Sequence, residues 1–223
     1  KGRTEMKLNN KRTILVGLAF LSICAFWQMY DSIVPLILTK PFHMNETFSG
    51  AIMAADNILA LFLLPFFGSV SDKSHTKIGK RMPFILFGTG CAIILMNILP
   101  LLDNSYAAQP SGFKTASFVI VLGLLLVAMG TYRAPAVALM PDVTPKPLRS
   151  RANAIINLMG AVGGILYLGV AAVLYPNSKT AGVEHVNYQP LFIVVSAIMF
   201  VAVAVLFLTI REPKLTAENQ ALE

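Results

Sequence analysis

The sequence predicts an all-α membrane protein, a bundle of six transmembrane helices with both termini on the cytoplasmic side. Three observations predict it. The 223 residues are 56% hydrophobic and only 13% charged, about half the charged share of an ordinary soluble domain. The apolar residues arrive in blocks of roughly 20 to 26, enough for a helix to cross about 30 Å of hydrocarbon. A backbone in lipid must satisfy its own polar groups, and these runs lack the period-two alternation of barrel strands, so helices are the expected form. The third observation is that the basic residues fall on one side of the implied membrane.

Taken in order, a tail over residues 1–12 carries Lys1, Arg3, Lys7, Lys11 and Arg12, and the first span runs from Thr13 to Leu38. That run is too long for a secretory h-region and no small-residue cleavage site follows it, so it reads as a helix rather than a signal peptide. The second span covers Ser49 to Val70 and is followed by Lys73, Lys77, Lys80 and Arg81. The third covers Met82 to Leu102, with Pro83 suited to its first turn. The fourth, Ala116 to Met140, leads into a loop with Lys146, Arg149 and Arg151; the fifth is Ala152 to Tyr175 and the sixth Tyr188 to Ile210. Residues 211–223, with Arg211 and Lys214, read as a tail or the start of a central cytoplasmic loop. Fourteen of these basic residues lie on the side of the termini, against Lys40, Lys114 and Lys179 opposite. That positive-inside bias sets the orientation and accounts for the net charge of +7 without nucleic acid. Residues 13–210 form one bundle, and six spans with both ends inside divide into two three-helix units of opposite orientation.

The sequence contains no catalytic triad, phosphate loop or metal-ligand cluster, and Cys24 and Cys91 lie inside spans. An enzyme, a cofactor, a bound metal and a nucleic-acid partner are therefore not expected. Asn45-Glu46-Thr47 fits a glycosylation sequon close to the membrane. The residues that ask for an explanation are charged groups inside spans, which cost several kcal/mol and by default face a cavity or a partner. Asp31, Asp56 and Arg133 are such groups; the two carboxylates sit about 10 Å from the outer ends of their spans and Arg133 near mid-depth. Trp27, Gln28 and Asp31 share one face of the first helix. An aromatic plane beside amide and carboxylate groups suits a polyhydroxylated ligand; the plainer reading has Trp27 packing and Asp31 neutralising Arg133. Asn153, Asn157, Gly160 and Gly164 form a small, polar stripe on the fifth helix, with the glycines read as packing and Asn157 as a ligand or interhelical contact. Asp142, at the inner end of the fourth span, either joins a salt-bridge cluster with Arg149 and Arg151 or, if buried, takes up a proton.

The stretch GSVSDKSHTKIGKRMPF (residues 68–84) carries Gly68, Asp72, Lys73, Lys77, Gly79, Lys80, Arg81 and Pro83. It resembles the loop between helices 2 and 3 of major facilitator superfamily transporters, with a wider gap between Asp72 and Gly79. The widened form is similar to the sucrose-transporter-like branch and the related glycoside-pentoside-hexuronide:cation symporters. ALMPDV (138–143) and RANAIINLMGAVG (151–163) resemble sucrose-carrier segments in the same order. The resemblance implies the amino-terminal six-helix half of a twelve-helix fold with a 3+3 inverted repeat, since this chain ends after six spans.

It also implies a secondary active transporter, moving a sugar or glycoside by alternating access with proton coupling. Asp142 matches the helix-4 Asp that sucrose carriers associate with that coupling. Where melibiose-type carriers place cation-binding carboxylates, this chain has Ala60, Leu64 and Arg133, so a sodium site lacks its oxygen ligands. On this reading Asp31, Asp56, Arg133 and Asp142 form the charge network and proton sites, and Trp27, Gln28 and Asn157 contact substrate. The residues from Gly68 to Arg81 form a cytoplasmic latch in which Gly68 allows close helix approach and Asp72 meets a positive partner. The partners are the sugar, a proton, the lipid bilayer and a second six-helix half, from the same chain or a homodimer, and the expected location is a bacterial cytoplasmic membrane. The rival readings are an exporter of amphipathic organic compounds and a non-transporting six-helix sensor or assembly module.

Overall fold

Every apolar block forms a helix; the first five run past their blocks at one end or both, and the sixth stops one residue inside its block at each end. The computed structural model describes residues 7–222. Its elements are α1 (Asn10–Thr39), α2 (Glu46–Asp72), α3 (Met82–Ala108), α4 (Gly112–Val143), a 3-10 turn (Lys146–Leu148), α5 (Arg149–Leu174), the single turn α6 (Asn177–Thr180), α7 (Gln189–Thr209) and α8 (Glu212–Leu222). Helices α1 to α5 and α7 are long and apolar enough to cross a membrane. The added turns are capped: the side chains of Asn9, Asn45 and Ser111 accept the backbone N–H of Arg12, Thr47 and Phe113, each satisfying a donor that a helix start leaves open. The sequon asparagine, Asn45, is thus a helix cap.

Within the segment expected as a tail or the start of a central loop, Glu212–Leu222 forms the helix α8. It is fixed by polar contacts a hydropathy pattern does not register: Glu212 is 1% and Asn219 5% exposed, and Asn219 Nδ2 donates to the Asp142 carbonyl at 3.1 Å. The start of α1 and α8 lie at the same end of the bundle, with Arg12 3.9 Å from Glu218.

The helices neighbour one another in a closed order. α1 packs on α5 and α7, α3 on α4 and α7, and α2 on α4, while α1 also meets α2 and α4. Exchanging α1 with α4, α2 with α5 and α3 with α7 carries these main contacts onto one another: α1·α5 becomes α4·α2, and α1·α7 becomes α4·α3. That is the symmetry expected of two three-helix repeats of opposite topology. The core, with Phe26, Tyr30, Tyr132, Phe192 and Met199 almost fully enclosed, lies between α1, α3, α4 and α7. By contrast α2 buries only Ser49 and Ser71. Phe62 and Phe66 of α2 and Leu158 and Ile165 of α5 lie open, so α2 and α5 flank one broad face with α1 and α4 behind it.

Small residues set the spacing of this face. A Cβ on Gly163 would stand 2.1 Å from the Leu21 carbonyl oxygen, one on Gly160 2.9 Å from Cys24 Sγ, and one on Gly17 2.8 Å from Met159. Gly164 meets nothing closer than Gln28 Oε1 at 3.9 Å. The close approach of α5 to α1 therefore runs through Gly160 and Gly163, a correction to the expected Gly160 and Gly164. One position along a helix turns a side chain by about 100°, which moves Gly164 off the contact line and toward the open groove.

Candidate functional site

Trp27, the single tryptophan of the chain, stands at the centre of the open face and divides it. On the α5 side a shallow groove of about 480 Å³ is lined by Trp27, Gln28, Asp31, Asn157, Gly160 and Gly164. On the other side a small cleft is lined by Trp27, Asp56, Gly130 and Arg133. Four different helices thus bring six of the expected residues to one surface. Phe26 and Tyr30 set the indole edge-on, each with ring centroids 5.2 Å away. The Trp27 Nε1 is buried with no hydrogen-bond partner among the described residues.

The expected ion pairs are not formed. Among the described residues neither Asp31 nor Asp56 comes within 4.0 Å of Arg133. The Arg133 guanidinium instead lies 5.9 Å from the centre of the Trp27 ring, a cation–π contact. The separation follows from the helices that carry the groups: Asp31 points into the α5 groove, whereas Asp56 sits on α2 and accepts the Asn57 N–H at 2.7 Å. Asp31 and Asn157 are exposed and Gln28, Asp56 and Arg133 half-buried, so the surface offers hydrogen-bonding groups around one aromatic plate.

The second constellation lies at the end of the bundle that holds the termini, and Arg81 is its hub. Its side chain is 5% exposed, with Nε donating to Asp142 Oδ2 at 2.8 Å. Its other donors meet the Gly68 carbonyl at 3.3 Å, Ser71 Oγ and Asp72 Oδ1. Lys80 Nζ lies 3.5 Å from Asp142 and 3.9 Å from Asp72. A planar fork with five donors suits this convergence of acceptors as an ammonium does not. Asp142 therefore belongs with this cluster and not with the open face; its partners are Arg81 and Lys80, while Arg149 donates to the carbonyls of Pro141 and Thr144. Lys73 and Lys77 are exposed. Gly68 has open space where a side chain would stand, so its part here is to present a carbonyl to Arg81, not to admit a neighbouring helix within this bundle.

Glu212 completes the cluster. Its carboxylate accepts the backbone N–H groups of Lys80, Arg81 and Met82 at 2.9 to 3.1 Å, an anion on the positive end of α3. Burial pushes its carboxyl above the usual range, and the three N–H bonds pull it only part of the way back. Gly79 makes this seat possible: its φ is +121°, and a Cβ would lie 2.3 Å from Glu212 Oε2. Sequence reasoning missed Glu212 and Ser71. The only local signal was a carboxylate at the start of a short polar segment after the last span, and its partners lie about 130 positions away.

The chain matches the family model described as "Major Facilitator Superfamily" over residues 16–223. It is 32% identical over 179 residues to the sucrose transport protein SUC3 of Arabidopsis thaliana, covering 73% of this chain and 30% of that protein. It is 34% identical over 170 residues to the sucrose transport protein SUT3 of Oryza sativa subsp. indica, covering 68% and 33%. With the alpha-ketoglutarate permease of Escherichia coli (strain K12) it shares 27% over 168 residues, covering 75% and 34%. Each alignment spans about a third of the relative's length. Six membrane helices with the contact symmetry of a 3+3 repeat, the Asp72–Arg81–Asp142 cluster and a family match over nearly the whole chain agree: this chain belongs to the major facilitator superfamily.

Proposed function

We propose that the chain is the amino-terminal half of a proton-coupled sugar or glycoside carrier working by alternating access, with both of its ends in the cytoplasm. The observation that carries the reading is the Trp27 plate, shared between a groove with Gln28, Asp31 and Asn157 and a cleft with Asp56 and Arg133. Sugars present apolar C–H faces and hydroxyl rims, which an indole and surrounding amide and carboxylate groups match. The similarity to sucrose transport proteins supports the same substrate class. Asp31 and Asp56, the two carboxylates that line this face within spans, are the proton carriers on this reading. A second six-helix half, from the same polypeptide or another copy, completes the site across the face flanked by α2 and α5. The charge bias of the loops supports the orientation.

A second reading, a carrier of organic anions, is favoured by one observation: Arg133 has no carboxylate within 4.0 Å among the described residues. The single tryptophan separates the two. Sucrose added to the chain in nanodiscs should shift or quench Trp27 emission saturably, with Asn157→Ala weakening the response. A response to 2-oxoglutarate and none to sucrose selects the second reading, and no response to either in the complete carrier overturns both.

A further inference from the structure

At the end of the bundle opposite the termini, a cavity of about 450 Å³ opens between α1, α5 and α7. It lies further along the α1–α5 pair than the groove beside Trp27, and Leu168 lines both. Its walls change character with depth. The lower part is apolar, with Ile33, Leu36 and Leu168; the upper part carries Lys40, Asn177 and Glu184. Seven residues of helix separate Ile33 from Lys40, so the gradient runs over about 10 Å along the membrane normal.

The segment between α6 and α7 roofs the cavity by alternation. Val183, Glu184, Val186 and Tyr188 line it, while His185 and Asn187, between them, turn the other way onto α3. His185 Nε2 lies 2.9 Å from Asn104 Oδ1, and Asn104 Nδ2 donates to Asn187 Oδ1 at 2.9 Å. The Tyr175 hydroxyl donates to the Asn187 carbonyl at 2.8 Å. The roof is thus a pinned strap, and it holds Glu184 over the cavity mouth. Among the described residues the Lys40 ammonium and the Glu184 carboxylate make no ion pair or side-chain hydrogen bond, with each other or with anything else. A cation and an anion, both unengaged, stand at the mouth of a pocket whose floor is hydrocarbon.

We propose that this cavity is a binding site for a zwitterionic phospholipid with a primary ammonium, phosphatidylethanolamine, from the leaflet opposite the termini. The phosphate pairs with Lys40 and the ammonium with Glu184, while the upper acyl chain lies along Ile33, Leu36 and Leu168. A free phosphate–ammonium compound has the same head chemistry but nothing to place on the apolar floor, which is why the lipid is the occupant. An anionic lipid satisfies Lys40 and is repelled by Glu184.

The test is native mass spectrometry of the chain in mild detergent, titrated in turn with phosphatidylethanolamine, phosphatidylcholine, phosphatidylglycerol and water-soluble glycerophosphoethanolamine. Phosphatidylethanolamine adducts are expected in excess over the other three. Lys40→Ala should cut them about five-fold, the effect of one interfacial lysine. Glu184→Gln should remove the preference over phosphatidylglycerol while keeping binding. Both side chains are exposed, so the variants keep the fold, checked by their circular dichroism. Equal retention of all lipids, preference for phosphatidylglycerol in the unmodified chain, competition by glycerophosphoethanolamine at equal concentration, or adducts indifferent to both substitutions would each overturn the proposal.

Discussion

At the scale of single residues, the cluster around Arg81 shows how few atoms decide a role. Lys73, Lys77, Lys80 and Arg81 are equivalent as topology signals, yet Arg81 alone is buried among acceptors, and only its fork reaches Asp142, Ser71, Asp72 and the Gly68 carbonyl together. Glu212 adds a pH dependence whose sign follows from its raised pKa. A carboxyl that holds its proton more tightly when folded contributes stability that is complete below the ordinary value near 4.5 and is lost as pH rises through the raised one. Thermal unfolding in detergent between about pH 4 and pH 8 should therefore find the native chain losing ground to Glu212→Gln as pH increases. A gap constant over that range would show that the three N–H bonds offset burial fully.

At the scale of elements, helix contacts in this protein are set by whichever position lacks a side chain. Lipid is as apolar as leucine, so association depends on packing and interhelical hydrogen bonds more than on removing surface from water. Gly163 lets the α5 backbone pass a carbonyl of α1, and Gly88 does the same against the Tyr132 backbone of α4, where a Cβ would be 2.7 Å from Tyr132 N. Gly163→Val should cost about 2 kcal/mol or more, as overpacking of a close contact does, and lower the unfolding midpoint accordingly. Gly164→Ala, one position away with nothing within 3.9 Å, should be neutral or stabilising because alanine favours a helix. Equal effects of the two would mean that α5 can rotate on α1. Hydropathy alone gave no means of choosing between these neighbours, since both read as small residues in an apolar run.

At the scale of the whole molecule, the open face flanked by α2 and α5 is the surface on which the second six-helix half is proposed to sit. The Asp72–Arg81–Asp142 cluster ties the ends of α2, α3 and α4 together on one side of that face, and Glu212 adds α8 to it. We propose that in a complete carrier this cluster is a latch that holds the end bearing the termini shut. Asp72→Asn should therefore raise labelling of a cysteine placed at Asn153, an exposed α5 position near the same end, in a background lacking Cys24 and Cys91. Unchanged labelling counts against the latch while leaving the fold unaffected.

The sequence by itself determined the number of spans, their order and the charge bias of their loops, because these depend on composition over about 20 residues and on the cost of leaving backbone groups unpaired in lipid. It also brought Trp27, Gln28 and Asp31 to one face, since helical spacing is local. Only the tertiary structure decided that Arg133 stacks on Trp27 instead of pairing with a carboxylate, that Asp142 serves Arg81, and that Glu212 seats on α3. Each of these joins groups from different helices, at distances fixed by which glycine lets two backbones meet, and no local pattern in the chain encodes such a distance.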